Sequence, residues 1–169
     1  MPVWHIIDSK IMRSNTVRQK LKSLKRVLDH LKNDRIIVLV EGKRDIYALK
    51  NSHFYEGQVF QVSTRKPYEL AQLLIGSDKT VVILTDYDSY GEQLMERFTE
   101  ELVANNIQVD ITTRKALRWI LGLRTIEDLP TAYADFVTQV ACAQHEICLG
   151  EDILQLFDNK DGLAMYNRR

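Results

Sequence analysis

Cysteine is scarce in this chain: Cys142 and Cys148 are its only two, and their spacing builds no disulfide framework. Such usage leads us to expect a reducing compartment, the cytoplasm. No apolar run approaches the ~20 residues that span a bilayer, so no membrane role is expected. The start, Met1 to Asp8, lacks both a basic stretch and a long apolar core, and is not read as a secretory signal. Net charge is missing as well, since 23 Lys/Arg balance 23 Asp/Glu. The overall balance therefore lends no support to nucleic-acid binding. Internal repeats and low-complexity stretches are also absent.

The charge that is present is unevenly spread. From Lys10 to Arg35 nine Lys/Arg face two Asp, a balance of +7; from Thr125 to Leu163 eight Asp/Glu face one Lys, a balance of −7. Such asymmetry suits a basic face for phosphates, and equally a dipolar solvated surface. With 45% apolar residues among 169, the chain can bury a core of one domain, with or without an appendage.

Two short stretches carry most of the functional signal. Ile36-Ile37-Val38-Leu39-Val40 leads into Glu41-Gly42-Lys43-Arg44-Asp45, and Val81-Val82-Ile83-Leu84-Thr85 leads into Asp86-Tyr87-Asp88-Ser89-Tyr90-Gly91. Unbroken β-branched runs of this length read as strands buried on both faces of a parallel sheet. Ligand sites of open α/β sheets lie beyond the carboxyl ends of the strands. Glu41, Asp86 and Asp88 are thus expected on one edge, where their mutual repulsion calls for a cation. Hard oxygen ligands suit Mg²⁺ or Mn²⁺, as one or two ions. Asp88 is also placed to cap the helix that follows.

In chain order, Val3-Trp4-His5-Ile6-Ile7 is read as an edge strand or arm. Ser14, Asn15 and Thr16 are N-cap candidates for an amphipathic basic helix carrying Val17, Leu21, Leu24, Leu28 and Leu31, ended by Asn33-Asp34. Strands are expected at 36–40, 59–62, 81–85 and 108–112. Helices are expected at 45–51, 68–75 (with Pro67 in the first turn), from Gly91 until Asn105-Asn106, and at 114–123. Leu94, Met95, Phe98, Leu102 and Val103 are expected inward. The architecture is α/β, a four-stranded, mainly parallel sheet flanked by helices. Its divisions are an N-terminal arm and helix (1–33), the α/β domain (34–129) and, past Pro130, a C-terminal helical appendage (130–169). That appendage offers a surface for a protein partner.

The pattern Glu41-Gly42-x-x-Asp45, followed by Asp86-x-Asp88-x-x-Gly91, resembles the toprim domain. That domain is shared by topoisomerases, bacterial primases, overcoming-lysogenization-defect nucleases, recombination-repair proteins and the ribonuclease that matures 5S ribosomal RNA. Thr85 to Glu92 is most similar to that ribonuclease and to small stand-alone, largely archaeal toprim proteins. The resemblance covers roughly Asp34 to Leu129 and implies the Rossmann-like toprim fold. It also implies Asp86 and Asp88 as metal ligands and Glu41 as acid/base or shared ligand. Where type II topoisomerases place a third acid this chain has Tyr90, which departs from a topoisomerase.

Around this set, Gly42 and Gly91 fit close phosphate approach or ordinary turns, and Asp45 either a supporting role behind the ligands or only the start of its helix. Lys43, Arg65 and Lys66 are candidate phosphate contacts, with Arg114 and Arg118 behind them. Tyr87 and Tyr90 are candidates for base stacking or plain rim tyrosines. Cys142, His145 and Cys148 lack a fourth zinc partner and read as buried thiols. His5, His30 and His53 show no carboxylate context in the sequence.

The expected activity is Mg²⁺-dependent cleavage of phosphodiester bonds in RNA or DNA. Its alternative is a non-catalytic toprim module binding metal and nucleic acid or a partner. A haloacid-dehalogenase-type phosphatase shares strand-Asp-x-Asp, but has no use for Glu41-Gly42 and wants Thr or Val where Tyr90 stands.

Overall fold

The computed structural model describes the backbone of residues 4–52 and 54–146, and side chains of residues 16–52 and 54–141. The elements run α1 (Trp4–Leu31), β1 (Ile36–Val40), α2 (Lys43–Asn51), β2 (Gln58–Gln61), α3 (Pro67–Leu74), β3 (Thr80–Leu84), α4 (Ser89–Ala104), β4 (Gln108–Asp110), α5 (Thr112–Leu121) and α6 (Leu129–Glu146). The four strands form one parallel sheet in the order β2-β1-β3-β4.

Alternate residues of the central strands serve two apolar layers. Val38, Val40, Val82 and Leu84 meet Leu24, Leu31, Leu49, Leu117, Ile120 and Phe136, so α1, α2, α5 and α6 cover one face. Ile37, Leu39, Val81 and Ile83 meet Leu70, Leu74, Leu94, Phe98 and Leu102 from α3 and α4 on the other. Burial of all five β1 positions explains why that strand reads as a continuous apolar run.

Five expectations change. Trp4–Ile7 is helical, not an edge strand, and Ser14-Asn15-Thr16 lies inside α1. No Gly or Pro interrupts residues 4–31, and polar residues mid-helix cost only a few tenths of a kcal/mol each. Val103 is 57% exposed, because the buried stripe of α4 is Leu94, Phe98 and Leu102. β4 stops at Asp110, whose Oδ1 accepts the Thr112 and Thr113 N–H groups and so starts α5 early. His30 does have a carboxylate partner: its Nε2 lies 3.0 Å from Asp110 Oδ2, a pairing the sequence spacing hides.

Pro130 stands in the first turn of α6, where a missing N–H costs nothing. Leu129, Phe136 and Val140 belong to the same apolar layer as Val38 and Val82. The Cys142, His145 and Cys148 side chains, His53, and everything after Glu146 lie outside the described residues. Among the described residues no helix is long and apolar enough to cross a membrane.

Candidate metal and phosphate site

After β1 the chain passes to β2 on one side, and β3 then returns to the other side of β1. The strand order reverses between β1 and β3, and the crevice beyond their carboxyl ends is the usual ligand position of an open α/β sheet. Val40 pairs with Leu84, so Glu41 and Thr85-Asp86 leave the sheet side by side. Glu41 Oε1 accepts the main-chain N–H of Asp86 at 2.9 Å. Two motifs 45 residues apart are thereby joined.

Each acid of the edge is held by a backbone donor. Asp86 Oδ1 accepts the Ile126 N–H at 2.7 Å, and Asp88 Oδ1 accepts the Gly91 N–H at 2.7 Å as the N-cap of α4. Asp45 Oδ2 accepts the Gly42 N–H at 2.8 Å, bracing the turn between Glu41 and α2. The second oxygens of Glu41, Asp86 and Asp88 take no hydrogen bond among the described residues.

Burial and crowding raise the proton affinity of Glu41, Asp45 and Asp86. Desolvation lifts the Glu41 carboxyl, helped by the charges of Asp86, Asp88 and Asp45, against the Asp86 N–H. Asp45, 3% exposed, is pushed up to about 6, first by burial and then by Asp86 and Glu127. Asp86 is raised by burial, then by Asp88, Glu127 and Asp128. Negative charge here is under-compensated.

The two glycines differ. A Cβ on Gly91 would fall 2.1 Å from the Asp86 carbonyl oxygen and 2.7 Å from Glu41 Oε1. Packing of α4 against the β3 end therefore requires glycine at 91, and its carbonyl accepts the buried Thr85 hydroxyl at 2.8 Å. A Cβ on Gly42 would meet only Asp45 Oδ2, at 3.9 Å, so nothing among the described residues demands glycine there.

The sequence pattern puts Arg114 among surface phosphate contacts, whereas it is 3% exposed and turned inward. Its Nε donates to the Thr85 carbonyl at 2.9 Å, one terminal nitrogen to Glu92 Oε1 at 2.9 Å and the other to the Asp86 carbonyl. The same guanidinium lies 4.5 Å from the centre of the Tyr87 ring, and Arg118 lies 5.3 Å from it. Tyr87 donates its hydroxyl to the Arg114 carbonyl at 2.7 Å and is half-buried, so it serves the fold, while Tyr90 is exposed. Burial pushes the Tyr87 hydroxyl up to about 12. Lys43, Arg65 and Lys66 are exposed; Arg65 lies over Phe60 and Lys66 over Tyr68.

The segment after α5 also supports the acid edge, which neither of the two motifs predicts. Arg124 accepts the Tyr87 N–H through its carbonyl, Ile126 anchors Asp86, and Glu127 and Asp128 add charge to the edge. The acidic doublet Glu127-Asp128, one short loop past the Gly122 end of α5, is the available signal. Among the described residues, no three His, Cys, Asp or Glu side chains form a ready-made cation cage.

Residues 35–113 match the family described as the Toprim domain. A UPF0292 protein of Thermococcus sibiricus is 32% identical over 120 residues, 70% of this chain and 94% of that protein. The chain belongs to the UPF0292 family of toprim proteins. A second relative, from Thermococcus kodakarensis, is 32% identical over 71% of this chain and 90% of its own. A solved structure of a protein from Aquifex aeolicus shares 27% identity and superposes with a TM-score of 0.54, covering 63% of this chain and 94% of that one. Toprim domains generally bind divalent cations and act on nucleic acids.

Proposed function

We propose that this toprim protein cleaves phosphodiester bonds in nucleic acid with the help of Mg²⁺ or Mn²⁺, using Glu41, Asp86 and Asp88. The observation that carries the reading is the Glu41–Asp86 hydrogen bond at the point where the strand order reverses. The donor chemistry fits the ion: all three are hard oxygen donors, each steered through one oxygen, with the other oxygen left over. The proton affinities of Glu41 and Asp86 are raised first by burial and then by neighbouring carboxylates, negative charge that a bound cation would offset. Mg²⁺ takes only one or two carboxylates and completes its shell with water and phosphate, so a ready three-acid cage is not required.

In this reading Asp86 and Asp88 hold the ion, which when bound supplies positive charge to the phosphate oxygens. Glu41, half-buried and raised in pKa, takes the proton of the attacking water and returns it to the leaving oxygen. Asp45 fixes the Glu41-Gly42 turn. The open surface over Gly42 admits the phosphate, and Lys43, Arg65 and Lys66 flank it as backbone contacts.

A second reading, a cation- and nucleic-acid-binding module without turnover, draws on one observation. One oxygen of each acid already serves the fold. The deciding experiment is a gel assay on structured RNA, single-stranded DNA and duplex DNA with Mg²⁺, Mn²⁺ or EDTA, beside an Asp86→Asn/Glu41→Gln double variant. Metal-dependent cutting that vanishes in the variant supports the enzyme. Metal binding without cutting supports the module. Hydrolysis of small phosphate monoesters instead overturns both.

A further inference from the structure

α5 carries a surface that its packing does not explain. Its buried positions are Thr113, Arg114, Leu117 and Ile120, whereas Lys115, Arg118 and Trp119 are exposed. The spacing i, i+3, i+4 puts those three on one outward face. Trp119 leaves half its surface open, and the Lys20 ammonium of α1 stands 5.7 Å from its ring centre. At the opposite border of the face, Arg118 contacts Tyr87, the residue that follows Asp86. The helix lies beside the acid edge, since both Arg114 and Arg118 reach Tyr87. One border of the face thus meets Tyr87, next to Asp86, through Arg118, and the other meets α1 where Lys20 stands over Trp119.

We propose that the outward face of α5, flanked by Lys20 of α1, is a track for single-stranded nucleic acid leading to the acidic edge. The inference rests on the reading that this edge acts on nucleic acid, and specifies the strand state. Cations spaced along the face match a phosphate backbone, and a half-open indole offers a π-face to an unpaired base. A duplex keeps its bases stacked inside and cannot use Trp119.

The test uses the full chain in a Trp4→Phe background, which leaves Trp119 as the reporter of its two tryptophans. Oligo(U), oligo(dT) and a duplex of equal length are titrated in EDTA, following indole fluorescence. The single strands are expected to quench Trp119 saturably and the duplex to bind more weakly. In fluorescence anisotropy with labelled strands, Trp119→Ala should weaken binding by at least about 5-fold. Lys115→Gln, at an exposed position, should reduce the salt slope of log K by about 0.7. Thermal melts confirm that both variants are folded.

Single-strand affinity untouched by both variants, or equal duplex affinity, overturns the proposal. The two claims fail separately. Track binding that persists in a wild-type protein that cleaves nothing keeps this inference and removes the reaction. Cleavage with unchanged KM in Trp119→Ala keeps the reaction and removes the track.

Discussion

Glu41 Oε1 sits 2.9 Å from the Asp86 main-chain nitrogen, so the acid at the end of β1 holds the strand end that presents the acid of β3. Glu41 thus positions one motif while belonging to the other. Glu41→Gln keeps an acceptor for that N–H and should retain the fold, with a melting temperature close to wild type. Glu41→Ala leaves the half-buried N–H unpaired and should cost about 1–3 kcal/mol. Equal urea midpoints for the two variants would contradict a structural role for Oε1.

Gly91→Ala places a methyl 2.1 Å from a backbone oxygen, a contact that no rotamer relieves. Overpacking of this kind costs about 1–3 kcal/mol, and here it also pushes Glu41 and Asp86 apart. Gly42→Ala, with only a 3.9 Å contact, should be within about 0.5 kcal/mol of wild type. Denaturant melts of the pair decide it; equal losses would refute the packing account.

Asp45 gives a pH signature. Its carboxyl is raised from 3.8 to about 6, so the folded chain binds this proton more tightly than the unfolded chain. The stabilisation is full below the unfolded value of 3.8 and is lost as pH rises through about 6. Over that window the metal-free protein should lose up to roughly 3 kcal/mol through this group. Asp45→Asn can keep the Gly42 hydrogen bond, lacks the charge, and should flatten that part of the stability curve. Parallel curves for the two proteins in EDTA would rule it out.

Divalent cation should act in the opposite sense. Because it relieves repulsion among ionised Glu41, Asp86 and Asp88, Mg²⁺ or Mn²⁺ should raise the melting temperature more at neutral pH than in mild acid. The shift should be largely lost in Asp86→Asn/Glu41→Gln. Differential scanning fluorimetry reads this directly, and an equal shift in the double variant would place the ion elsewhere.

Arg114 forks between the carbonyls of Thr85 and Asp86 and pairs with Glu92. Lysine brings the charge without the planar fork, so Arg114→Lys should destabilise by about 1–2 kcal/mol, and Arg114→Met by more. Either change should also weaken cation binding, since the Asp86 turn loses its support. Unchanged cation affinity in a folded Arg114→Lys would remove that link.

Much of this architecture is written locally. Apolar runs announce β1 and β3, acid-glycine endings mark the edge, and Asp88 is readable as a cap because a capping residue acts within its own turn. What stays hidden is non-local. The Arg114 charge looks like surface because nothing near it in sequence shows that two strand-end carbonyls await it. His30 finds Asp110 80 residues away, and the Ile126 amide finds Asp86 40 residues away. Spacing rules have no access to such encounters. The start of α1 misleads for a different reason: good capping residues stand inside a helix that nothing interrupts.

The toprim match closes at residue 113, yet the groups that seat the Asp86 turn begin one residue later, with Arg114, Arg124 and Ile126. The two signature motifs are consequently not portable. Grafted onto another scaffold, or expressed as the matched region alone, they would keep every signature residue and lose the guanidinium and the two backbone partners that aim them. In this protein the smallest transferable unit of the site extends through residue 126.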